Sequence, residues 1–151
     1  MTFLQTDLLS DLVHQKHRCL EHLCAMGNKQ LELVRRGSMT ELLDLLAAKQ
    51  QLLLQVQRID RDLEPFRDQD PEDRDWRSPE GRQECAAAAS ACEALLVQII
   101  NHERESETEL IRRRDEAAAQ LEETRTAGEA RASYLGGLHV GAGQLNLTSE
   151  G

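Results

Sequence analysis

Residues Arg35–Val56 read RRGSMTELLDLLAAKQQLLLQV. A helical pattern arrives at Arg36, is interrupted by Gly37 and Ser38, and restarts at once as a leucine-rich run. Arg35 and Arg36 suit the negative end of a helix dipole, and Gly37 can adopt the left-handed backbone of a C-terminal cap. Ser38 followed by Glu41 has the capping-box spacing, in which each residue's side chain satisfies the other's backbone amide. A turn this short makes the flanking helices antiparallel neighbours, so the stretch predicts an αα-hairpin.

Upstream, Leu4, Leu8, Leu12, Cys19, Leu23, Met26 and Leu31 recur at helical spacing. Val13, Leu20 and Val34 broaden the stripe, which predicts a first helix over residues 4–36. Downstream, Leu42, Leu46, Leu53, Val56, Ile59 and Leu63 predict a second helix over 39–63. Residues 64–78 form an acidic loop containing Pro65 and Pro71, with Trp76 placed to staple it onto the hairpin. Ser78-Pro79-Glu80 then supplies a hydroxyl cap, a first-turn proline and a first-turn carboxylate, the start of a third helix.

The third helix is expected over 79–135, with a break near 101–109 as one of two outcomes. Its first half is apolar at Cys85, Ala88, Cys92, Leu95, Leu96, Ile99 and Ile100, and residues 101–109 are polar on every face. At about 1.5 Å per residue this helix would run roughly 85 Å, nearly twice either neighbour. Either it breaks and folds back as a fourth helix, or its second half projects as an unfinished bundle open to partner helices. Residues 136–151 read as a flexible glycine-rich tail, although Leu138, Val140, Leu145 and Leu147 make it more apolar than a linker needs. The fold class is all-α: an antiparallel hairpin plus a long third helix, forming a three- to four-helix bundle or a coiled-coil-like assembly.

Composition agrees and narrows the functions. Aromatic residues are 3% of the chain and charged residues 30%, which favours helices over strands. The net charge is −9, and only residues 1–36, with five basic and four acidic side chains, come out positive. No segment is a basic stripe, so nucleic-acid binding lacks its electrostatic footprint. An acidic surface also suits anionic membranes poorly. No run of about 18 apolar residues is evident and the N-terminus lacks a basic signal region, so membrane insertion and export are not expected. The expected location is cytoplasmic, with Cys19, Cys24, Cys85 and Cys92 as reduced thiols and the Asn146-Leu147-Thr148 sequon idle.

The one cluster suggesting metal chemistry is His14, His17, Cys19, His22 and Cys24. Helical spacing points its i,i+3 pairs to different sides, and Cys19 belongs to the apolar stripe. Cys85 and Cys92 are seven apart, without a CxxC pair. No histidine has a glutamate three residues before it, as a di-iron bundle requires. The alternating Glu103, Glu105, Glu107 and Glu109 scatter around a helix, and no phosphate loop or nucleophile elbow occurs. Neither enzymatic activity nor a cofactor or metal is expected.

The helix, the Gly-Ser turn and the run Met39-Thr40-Glu41-Leu42-Leu43-Asp44-Leu45-Leu46-Ala47-Ala48-Lys49-Gln50-Gln51-Leu52-Leu53 together resemble the flagellar export chaperones of the FlgN type. The resemblance covers about residues 4–135, its motif-like part being Gly37–Leu54. It implies a cytosolic chaperone without ATPase activity. Such a chaperone binds the C-terminal helices of hook-associated filament-junction proteins, keeps them unassembled and delivers them to the type III export gate. It further implies client contacts toward the C-terminal part, which places partner binding at Leu110, Ile111, Ala117, Leu121, Tyr134 and Leu135. The chain departs from the family in its proline-containing acidic loop and histidine-rich first helix. The competing expectation is a structural coiled-coil protein that self-associates through its third helix, and a weak homo-oligomer fits either reading.

Overall fold

The computed structural model describes residues 3–149, with side chains through Leu138. Three α-helices and one 3₁₀ turn make an all-α chain, and no strand occurs among the described residues. α1 is Gln5–Arg36, α2 is Met39–Arg67 and α3 is Pro79–Ser149; the short turn Pro71–Asp73 lies between α2 and α3. The chain divides after Glu109 into two compact units, Met1–Glu109 and Leu110–Gly151.

The reversal at Gly37 forms as its sequence dictates. Gly37 takes φ 71°, the left-handed region that side chains with a Cβ adopt only under strain. Its amide donates to the carbonyl of Val34 at 3.1 Å, and the Ser38 amide donates to that of Leu33 at 3.0 Å. Both satisfy carbonyls that the helix end would otherwise orphan. The capping box does not form: Ser38 is the N-cap of α2 but its side chain accepts no amide. Glu41 turns instead to Arg36, 3.6 Å away, because the guanidinium at the end of α1 offers a full charge. A reciprocal cap appears at the other end of α1, where Asp7 Oδ2 accepts from the Leu4 amide at 3.1 Å.

In the first unit α1 is the central helix. Leu9, Leu12, Val13, Cys19, Leu20 and Leu23 form one cluster with Val56, Ile59 and Phe66 of α2 and Cys85, Ala88 and Cys92 of α3. Leu31, Leu33, Val34 and Leu42 are buried near the reversal. Two expectations change here. Leu9 and Leu33 take inward positions of α1 while Leu8 is exposed, so the stripe is broader and slightly rotated. On α2 the buried positions are Leu42, Lys49, Val56, Ile59 and Phe66, and Leu46 and Leu53 are instead a little over a third exposed. The seven-residue steps 42, 49 and 56 follow one seam, and the leucines between them occupy the neighbouring face.

α2 runs antiparallel to α1: Lys16 Nζ reaches Asp60 Oδ1 at 2.6 Å, and Lys49 Nζ donates to Gln30 Oε1 at 2.9 Å. α3 runs parallel to α1, because Cys92 Sγ meets the Val13 carbonyl and Cys24 Sγ meets Gln98 Oε1. Further along, Gly27 faces His102. Up, down and up is therefore the topology of this three-helix unit.

α2 continues past Leu63 to Arg67 and carries Pro65 within its last turn. Near a helix end proline removes one amide bond without ending the helix outright. The loop then closes through Thr6 Oγ1, which donates to the Asp75 carbonyl at 2.6 Å, and Arg77, whose guanidinium grips both oxygens of Asp7. Trp76 packs against the core cluster as a staple. Ser78 Oγ accepts from the Gly81 amide at 3.0 Å and caps α3.

α3 is continuous through residues 101–109, without a break there, and its helical backbone runs past Gly136 and Gly137 to Ser149. No proline follows Pro79, and a glycine costs a helix only about 1 kcal/mol relative to alanine. The apolar tail positions Val140, Leu145 and Leu147 lie outside the described side chains.

Two outcomes follow from this packing. A Cβ on Gly27 would stand 2.7 Å from His102 Nδ1 and 3.0 Å from its Cβ, at the root of the side chain where little can yield. Gly27→Ala should therefore destabilise by about 1–3 kcal/mol although alanine is the better helix former. Urea unfolding of the single and double variants should show His102→Ala removing the part of that loss due to the ring, while the contact with the remaining Cβ persists. Secondly, Arg77 and the Leu4 amide hold the Asp7 carboxyl below the usual carboxylate range. The stability this contributes is present at neutral pH and disappears as acid protonates the folded carboxyl. The melting-temperature difference between the natural chain and Asp7→Asn should shrink from pH 7 to pH below the ordinary carboxylate range.

Candidate functional site

The six positions expected to bind a partner all fall in the second unit, on α3. Leu110 is half-buried; Ile111, Ala117, Leu121, Tyr134 and Leu135 are exposed, and Leu121 is 71% exposed. At about 100° per residue, Leu110, Ala117, Leu121 and Leu135 lie within roughly 40° of one another, on a single stripe. Ile111 lies about 100° to one side and Tyr134 about 120° to the other. A single continuous helix thus joins four of the six and separates two. Leu138, 54% exposed, extends the stripe's edge.

The stripe is thin. Arg114 and Gly128 fall within it, and every described side chain from Arg114 to Leu138 is exposed. The helix is laced by its own ion pairs: Arg112 with Glu116, and Arg125 with both Glu122 and Glu129. Pairs at this spacing contribute about 0.2–0.5 kcal/mol each.

The histidine–cysteine cluster of α1 disperses. His14 Nδ1 lies 2.7 Å from the Ser10 carbonyl, His17 pairs with Glu21, and Cys24 bonds Gln98. Cys19 is buried and His22 exposed. Among the described residues no group of three or more His, Cys, Asp or Glu is placed to hold a metal ion. Burial pushes the Cys19, Cys85 and Cys92 thiols up from their ordinary value, so these sulfurs stay protonated and weakly nucleophilic at neutral pH.

At the closed end of the first unit a cavity of about 620 Å³ is lined by Phe3, Thr6, Phe66, Arg74 and the carboxylates Asp68, Asp70, Asp73 and Asp75. Asp70 Oδ1 already accepts the Glu72 amide and Arg74 donates to the Phe66 carbonyl, so part of the lining serves the loop itself. Its carboxylates disfavour anionic ligands.

Sequence reasoning missed the outward face of α2, where Met39, Leu43 and Leu54 stand exposed beside Leu46 and Leu53. The signal was present: from Leu45 to Gln57 the only charge is Lys49. Within Pro79–Leu138 lies one window long and apolar enough to cross a bilayer by length and composition, a test that core helices of soluble proteins also pass. Alanine runs such as Ala86–Ala89 raise that average although no continuous apolar stretch exists.

Comparison of the chain with protein-family models, with curated proteins and with solved structures finds no match in any of the three.

Proposed function

We propose that the chain is a cytosolic export chaperone of the flagellar FlgN type. It holds the amphipathic C-terminal helix of a hook-associated protein against α3 and keeps it unassembled for type III export, with export-gate components as further partners. The observation that supports this best is the second unit: a regular helix whose Leu110, Ala117, Leu121 and Leu135 share one face with no described side chain covering Leu121 or Leu135. An amphipathic client segment laid along this face would bury those leucines and fold as it binds. The ordering entropy spent in folding keeps such a complex releasable.

A second reading rests on the same spacing. Steps of seven, four, fourteen and three join Leu110, Ala117, Leu121, Leu135 and Leu138, the rhythm of a coiled-coil seam interrupted at Gly128. A structural protein that pairs with its own copy through α3 would use it equally.

Calorimetry with a peptide carrying a hook-associated C-terminal helix tests the chaperone reading. Burying one leucine contributes about 1.5–3 kcal/mol, so Leu121→Glu with Leu135→Glu should weaken binding at least tenfold with helix content retained. Undiminished binding by that variant overturns it. A tight dimer of the natural chain that the same pair of substitutions dissolves establishes the structural reading in its place.

A further inference from the structure

The outward face of α2 carries an interaction surface that the client-binding proposal does not use. Leu43, Ala47 and Leu54 lie within about 40° of one another around the helix. All three are exposed, Leu43 at 66%. Between Asp44 and Arg58 no charge reaches solvent, because Lys49 is turned inward to Gln30 and Glu103. An uncharged apolar strip bounded by charges has the composition of an interface core with its rim.

The bounding charges identify the occupant. Asp44 and Arg58 are both exposed, carry opposite signs, and make no hydrogen bond or ion pair with the described residues. Both flank the same edge of the strip. When two copies of a helix pair antiparallel about a two-fold axis, each edge meets its own counterpart on the other copy. A pairing centred on Gln51 therefore sets Asp44 of one copy level with Arg58 of the second, twice over, and sets Leu54 level with Ala48, one residue from Ala47. We infer that α2 is the interface of a two-fold antiparallel dimer of this chain, with Ala47 and Leu54 near its centre, Asp44–Arg58 pairs at its rim and Leu43 just beyond them at each end. This face is separate from α3, so the dimer stands or falls independently of the client reading.

Sedimentation velocity of the full chain across the micromolar range tests it. The natural chain should show a monomer–dimer equilibrium. Leu43→Glu with Leu54→Glu should weaken that equilibrium at least about 100-fold, with the helical circular dichroism unchanged. Asp44→Arg alone and Arg58→Asp alone should each weaken it roughly tenfold, since two attractions become two repulsions. Mixing those two variants in equal amounts should restore dimer, because each mixed pair then has complementary charges on both rims. A chain monomeric throughout, a dimer indifferent to the leucine substitutions, or a mixture no tighter than its separate components overturns the inference. Indifference to the α2 leucines combined with loss on Leu121→Glu would move self-association to α3.

Discussion

Everything in the first unit is keyed to one buried ammonium. Lys49 is 6% exposed, and from α2 it reaches Gln30 on α1 and Glu103 on α3. Burial pushes its pKa down, because the interior disfavours the charged form. That penalty becomes structural information. A leucine seam tolerates a slip of one heptad because one leucine replaces another, whereas slipping α2 or α3 here would strip Lys49 of a partner in the interior. Losing a partner of a buried charge costs far more than the intact arrangement contributes. The polar layer therefore fixes register among three helices that apolar contacts alone would leave loosely specified.

The way α3 is held follows from that register. Its most buried residues are small or polar, Cys85, Ala88, Cys92 and Ser106, with Leu95, Ile99 and His102 partly buried beside them. Small side chains let it lie close to the leucines of α1, and Gly27 admits the His102 ring where a methyl group would not fit. Close approach has a polar cost. His102 Nδ1 and Ser106 Oγ are buried without hydrogen-bond partners among the described residues, as is the indole nitrogen of Trp76. Leu96, Val97 and Ile100 face outward, while Leu95 and Ile99 pack against the core cluster. Unsatisfied groups inside and exposed apolar groups outside are the features of a bundle optimised for more than its own stability.

Much of this was legible from residue types whose physics is local. Gly37 announces the helix reversal because only a left-handed glycine closes it so tightly, and Ser78-Pro79 announces the third helix. What was not legible depends on facts no periodicity contains. Leucines at 42, 43, 45, 46, 52, 53 and 54 fit several helical faces equally, and a lysine inside the run reads as solvent-exposed. Only the approach of Gln30 and Glu103 makes Lys49 an inward residue. Residues 101–109 look like a solvated break for the same reason: their inward members are polar, and their partners lie 50 or more positions away in sequence. The six candidate positions carry no common helical phase, so the continuous helix gathers Leu110, Ala117, Leu121 and Leu135 and sends Ile111 and Tyr134 elsewhere.

The second unit differs from the first in what stabilises it. From Arg114 to Leu138 no described side chain is buried, so packing contributes little and the helix relies on backbone propensity and ion pairs. Arg125 with Glu122 and Glu129 adds some tenths of a kcal/mol per pair, while Gly128, Gly136 and Gly137 each subtract about 1 kcal/mol. The glycines outweigh the pairs, about 3 kcal/mol against roughly 1. The leucines on its face then decide the balance: left in water they contribute nothing, and covered they contribute more than any other term available to the segment. A helix balanced in this way gains most of its stability from whatever covers its face, so occupancy of Leu121 and Leu135 and order in the segment are thermodynamically one event.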